Sequence, residues 1–119
     1  MPDGEPVVGD VGTTTGELYP DVLAAKARRN ADGTWRFEVT LSSPYDSPAR
    51  HADAWHILAP DGTELGIRIL THDHASEQPF TRSLDRVVIA PTVTRVTIEG
   101  RDQVSGWGGE TVEVQVGGR

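Results

Sequence analysis

Cysteine is absent from all 119 residues. That removes disulfide frameworks, thiolate metal sites and thiol nucleophiles from consideration. It leaves the compartment open, because a chain of this length buries an adequate core without bridges. Basic residues are also few, with 11 Lys and Arg against 18 Asp and Glu, for a formal charge of −7. A nucleic-acid partner would want a basic patch, so the charge balance argues against one and describes an ordinary acidic, soluble surface. No apolar run approaches the ~20 residues that a membrane helix needs, so no membrane association is expected. The opening residues, MPDGEPVVGDVG, have neither a basic start nor a long apolar stretch. No signal peptide is visible there, and a cytoplasmic location is the default expectation, with a trimmed secreted protein as the other. Helical periodicity is missing too, and no internal repeat or βαβ alternation occurs.

What remains is a succession of short strand signals. The clearest organising stretch is ADAWHILAPDGTELGIRILT, residues 52–71, two apolar runs flanking Asp61-Gly62. An Asp-Gly pair between apolar runs is a strong hairpin signal. A three-residue loop at Asp61-Gly62-Thr63 would place Ile57 opposite Ile67 and Trp55 opposite Ile69, gathering apolar side chains on one face. A two-residue loop would set Trp55 against Arg68 and mix the faces, so the three-residue loop is the expected register.

Upstream, residues 1–18 show no sustained period and read as a flexible leader, with Val7 and Val8 adding at most a short edge strand. The domain proper is expected over 19–119. Val22 to Arg28 is a weak strand, followed by the turn Asn30-Ala31-Asp32-Gly33. Trp35, Phe37, Val39 and Leu41 then alternate with Arg36, Glu38, Thr40 and Ser42, the pattern of a strand with one buried face. Downstream, Phe80 to Leu84 and Arg86 to Ala90 read as one interrupted strand. Val96 and Ile98 face the core of the next, and Val112, Val114 and Val116 lie in the last. Gln103 to Glu110, with Gly106, Gly108 and Gly109 around Trp107, reads as a long mobile hairpin loop. About seven short strands at near-regular spacing predict an all-β, antiparallel sandwich.

Trp55 in the third strand and the VTRVTIEGRD…GWGGETVEVQV ending resemble immunoglobulin-like and fibronectin type III-like bacterial domains. The segment HDHASEQPFTRSL is similar to one carried by small bacterial proteins of this kind. The resemblance implies an immunoglobulin-like sandwich and supplies no catalytic residue. No Cys pair crosses the sheets, and no Tyr precedes the sixth-strand core position, so the antibody-type hallmarks are missing.

Concentrated chemistry occurs only at Thr71-His72-Asp73-His74-Ala75-Ser76-Glu77. Histidines at i and i+2 of an extended strand point the same way, and Glu77 can add a carboxylate. That set suits a divalent transition metal. The competing reading, a solvated strand end leading into a loop, is the more common fate of such a pattern. Gly66 precedes His72 at the spacing of the first cupin motif, yet no later histidine exists to complete that fold's ligand set. Ser76 and Ser83 lack the strand–Ser–helix elbow that would activate a nucleophile. Trp107, flanked by glycines, is the second candidate, as an exposed anchor for a sugar or a peptide; the competing and more common reading is a side chain folded back over the sandwich end to cover the core. Arg82 has Glu77 or Asp102 as ion-pair partners. The expected function is therefore a non-enzymatic accessory or protein-interaction domain, monomeric or weakly dimeric and without a required cofactor. The rivals are a metal-binding protein using His72, His74 and Glu77, and a carbohydrate- or peptide-binding module using Trp107.

Overall fold

A computed structural model describes residues 18–117. Val7, Val8 and most of the expected leader lie outside the described residues. Seven strands follow in chain order: β1 Asp21–Arg29, β2 Trp35–Ser42, β3 Ala52–Leu58, β4 Glu64–Ile69, β5 Phe80–Val87, β6 Arg95–Asp102 and β7 Gly106–Gln115. They pair antiparallel throughout, as a three-stranded sheet ordered β1-β2-β5 and a four-stranded sheet ordered β4-β3-β6-β7. The described chain is thus an all-β sandwich.

The alternation in β2 does what its pattern requires, burying Phe37, Val39 and Leu41 while Glu38 stays exposed. These side chains meet Trp55 and Ile57 of β3, Val96 and Ile98 of β6, and Phe80 of β5 in one apolar core. Trp35, Leu84, Val112 and Val114 pack against its border and remain partly buried. The interrupted fifth strand is continuous, and its break is a bulge: Arg86 has φ 60°, and the register with β2 shifts between Trp35 and Phe37.

The central hairpin differs from the expected register. Ala59 N–H donates to the Thr63 carbonyl and Gly62 N–H to the Ala59 carbonyl, both at 2.9 Å, so the loop is Pro60-Asp61-Gly62. A bulge between Ile57 and Leu58 then offsets the ladder, pairing Ala54 with Ile69, Trp55 with Arg68 and His56 with Ile67. A one-residue slip moves an entire strand's side chains to the other face. Ile67 and Ile69, expected in the core, accordingly lie on the outer face at 37% and 56% exposure. Gly62 holds φ +90° with open space around its missing Cβ. Gly62→Ala should therefore cost only the left-handed backbone penalty, about 1 kcal/mol. A urea midpoint lowered at constant slope checks it.

The stretch expected as a long loop is mostly strand. Asp102 closes a tight turn at Gln103-Val104-Ser105 by accepting from the N–H groups of Val104 (2.9 Å) and Ser105 (2.7 Å). β7 begins immediately afterwards, so Trp107 sits in a strand. Farther along β7, the pairing with β6 is irregular between Ile98 and Gly100. Gly109 occupies that irregularity at φ +86°, where a Cβ would overlap the Pro20 carbonyl. The bulge also turns Glu110 N–H to Asp21 Oδ1 at 2.9 Å, tying β7 to the start of β1.

Candidate functional site

The register that exposes the two isoleucines also builds a site. Strand pairing aligns Ile69, Ala54, Arg101 and Trp107 across the outer face of the four-stranded sheet. Beside that row, Ile67, His56 and Glu99 form another. Ala54 is the one small residue in its row, so the surface dips between Ile69 and the Arg101–Trp107 pair. The result is a trough of about 390 Å³, bordered also by His51, Asp53 and Gln103. Its volume lies within the range of small-molecule pockets, roughly 300–1,000 Å³.

One wall is an aromatic stack. The Trp107 indole lies on the His56 imidazole with centroids 3.5 Å apart and planes 5° from parallel. His56 is itself fixed in its plane, with Nδ1 2.9 Å from Glu64 Oε1 and Nε2 3.0 Å from Glu99 Oε1. Those contacts link β3 to both of its neighbours, and a ring protonated at both nitrogens donates to both carboxylates. The indole therefore rests on a clamped support, and it borders the trough.

The other wall is polar. Arg101 Nη1 donates to Asp53 Oδ2 at 2.6 Å, a charge-assisted bond that neutralises both groups. Asp53 Oδ1 has no hydrogen-bond partner, nor has Nδ1 of His51, a residue only 8% exposed. Buried polar atoms are normally paired, so two orphans along one trough are unusual.

The residues singled out from sequence lie near one another but are engaged separately. His72 and His74 come together, with ring centroids 4.9 Å apart. Glu77 is held by Arg82, with Arg82 Nη2 donating to its Oε1 at 3.1 Å, and this hydrogen bond keeps the Glu77 carboxyl below the ordinary glutamate range. Arg82 thus takes the nearer of its two expected partners; Asp102 pairs with Arg50 instead. Among the described residues, no group of three or more His, Asp and Glu side chains is arranged to hold a metal ion. His72 is exposed, and its Nδ1–H donates to the Asp73 carbonyl, 2.9 Å away. His74 is buried, stacks on Phe80 with centroids 3.9 Å apart, and anchors its own N–H on Asp46 Oδ2 at 2.9 Å. Its place in the molecule is against the core.

Burial, reinforced by the positive charges of Arg82 and His72, lowers the His74 pKa below the usual imidazole value. A depressed pKa means that the unfolded chain binds the proton more tightly. The stabilising contribution is therefore complete above the ordinary value of about 6.5 and is lost as the pH falls through the lower folded value. His74→Phe keeps the stack on Phe80 and removes the titration. The gap between thermal midpoints at pH 8 and pH 5 should be narrower in this variant than in the wild type. An unchanged gap would assign the acid sensitivity elsewhere.

His56 and Arg101 carried no site signal in the sequence, and Ile69 read as a core residue. The nearest hint was the aromatic at 107, which strand pairing brings onto a histidine 51 positions earlier.

The fold and this face define a β-sandwich with a ligand-sized, aromatic-walled trough on the outside of one sheet. No family model matches the chain. No solved structure matches it either. It is similar to a candidate lipoprotein of the archaeon Halomicrobium mukohataei, 38% identical over 78 residues. That stretch is 66% of this chain and 38% of the relative, so the chain spans well under half of the relative's length. The expected bacterial kinship thus meets an archaeal relative. No helix among the described residues is long and apolar enough to cross a membrane.

Proposed function

We propose that this chain is a non-enzymatic binding domain that holds its ligand on the outer face of the four-stranded sheet, and that it works outside the cytoplasm. The carrying observation is the clamped Trp107–His56 stack facing two exposed isoleucines across a trough. Two large aliphatic side chains and an indole on one sheet face are what a docking surface presents. The location departs from the cytoplasmic default because the relative is described as a lipoprotein, a class held at a membrane surface by its lipid. A strand order of β1-β2-β5 over β4-β3-β6-β7 supports the immunoglobulin-like resemblance, with the fourth strand lying beside the third. Such sandwiches host many functions, so the function is argued from the face and not from the fold.

The test is a face variant, Ile67→Ser with Ile69→Ser, compared with the wild type against a mixed panel of peptides, saccharides and lipid vesicles. Both positions are exposed, so the variant should melt within a few degrees of the wild type. Every panel member that binds the wild type should bind the variant roughly tenfold more weakly or worse. Undiminished binding by the variant would move the site off this face.

A further inference from the structure

We infer that the trough takes neutral sugar rings of a glycan, an inference that rests on the reading of this face as the ligand site. Three observations converge on that chemistry. The first is the platform. Trp107 lies flat on an imidazole whose two nitrogens are both tied to carboxylates, so the indole is positioned before any ligand arrives. A pyranose ring has a face of C–H bonds that lies flat on such a surface, and a pre-positioned platform spares the ligand the entropy of ordering it.

The second is the polar wall. Donors and acceptors meet there over a short distance: the part-exposed Arg101 guanidinium, the Asp53 carboxylate bonded to it, and the exposed amide of Gln103, which both donates and accepts. A ligand meeting that wall must both donate and accept from adjacent atoms. Vicinal hydroxyls do this, since each is one donor and two acceptors. An extended peptide added to the edge of β4 would spend its hydrogen bonds along that edge and leave the Arg101 and Gln103 groups unmet.

The third is charge. Arg101 and Asp53 neutralise each other at 2.6 Å, so the trough offers no uncompensated cation to a carboxylate, sulfate or phosphate. The whole chain carries a formal charge of −7, which repels polyanions. A neutral polyol is the ligand that loses nothing on both counts.

The experiment uses the ¹⁵N-labelled full chain and its indole N–H signals, of which three tryptophans give three. The probes are the pentasaccharides of β-1,4-glucose, α-1,4-glucose and β-1,4-N-acetylglucosamine. Dextran sulfate and a Val/Thr-rich decapeptide serve as the other ligand classes. Trp107→Phe identifies the Trp107 signal by its disappearance. At least one neutral saccharide should move that signal saturably while the Trp55 indole stays still. Trp107→Ala should weaken the binding roughly tenfold. Gln103→Ala, at an exposed position outside the stack, should weaken it several-fold with an unchanged melt, which keeps the test valid if the tryptophan variant is unstable. If only the peptide or the sulfated polymer moves the Trp107 signal, the glycan inference falls and the face stands. If no probe moves it and the mixed panel finds no ligand there either, both fall.

Discussion

Trp55→Ala is expected to lose about 3–5 kcal/mol of stability, the range for an aromatic removed from a core. Trp55 is fully buried at the centre of the sandwich, among the side chains of both sheets. Domains of this size have about 5–15 kcal/mol in all, so the variant should be partly unfolded at room temperature or close to it. The indole carries a second consequence. Its Nε1–H is buried with no hydrogen-bond partner, and an unpaired buried donor costs roughly 1–3 kcal/mol. Trp55→Phe loses ring volume but also deletes that unpaired donor, so its net loss should be much the smaller of the two. Urea unfolding of the pair measures this, with the midpoint moving and the slope unchanged. Equal losses would mean that the cavity dominates and the unpaired N–H costs little.

The second large effect lies at the opposite extreme of polarity. Asp102 is fully buried, yet it is ionised: burial pushes its carboxyl up, but hydrogen bonds from Ser105 N–H and the Arg50 guanidinium outweigh that and hold it below the ordinary range. Arg50 Nε reaches both carboxylate oxygens at 3.1 and 3.0 Å, and its Nη2 donates to the Leu18 carbonyl at 2.7 Å. The guanidinium also lies 4.5 Å from the Tyr45 ring centroid. One carboxylate therefore closes the β6–β7 turn and fixes the segment that leads into β1. Asp102→Ala strands the arginine charge and two turn N–H groups. Removing one partner of a buried pair costs about 3–5 kcal/mol, and the part-exposed Arg50 places this case at the lower end. Asp102→Asn, which still offers an oxygen to the turn, should recover part of the loss. In the double variant Asp102→Ala with Arg50→Met, no stranded charge remains, and the combined loss should fall short of the sum of the two single losses. Additive losses would show that the two residues are not coupled.

Acid should weaken the same pair. A folded-state pKa held below the unfolded value contributes stability that is present above about pH 3.9 and is lost as the pH falls through the lower value. His74 begins to lose its contribution at a higher pH, below about 6.5, so the acid limb should start above the carboxylate range, and the His74→Phe variant should remove that early part.

Composition and alternation determined a good deal of this molecule. Period-2 patterning in β2 and β6, the Asn30–Gly33 and Asp61-Gly62 turns, and the lack of any helical period specify seven antiparallel strands, because each is a local property of side-chain direction and backbone freedom. The pairing of Arg82 with Glu77 was legible for the same reason, the two lying five residues apart. Register was not local. The bulge between Ile57 and Leu58 carries no residue that announces it, and it decides whether Ile67 and Ile69 enter the core or pave the outer face. Gly106 and Gly109 read as a loop because glycine marks turns; one ends the β6–β7 turn and the other relieves a bulge inside β7. The stack of Trp107 on His56, the Arg101–Asp53 pair and the Arg50–Asp102 pair join residues 48 to 52 positions apart. Only tertiary structure could bring them together, since contacts at that separation depend on which strands become neighbours, and no side chain encodes its neighbour's neighbour.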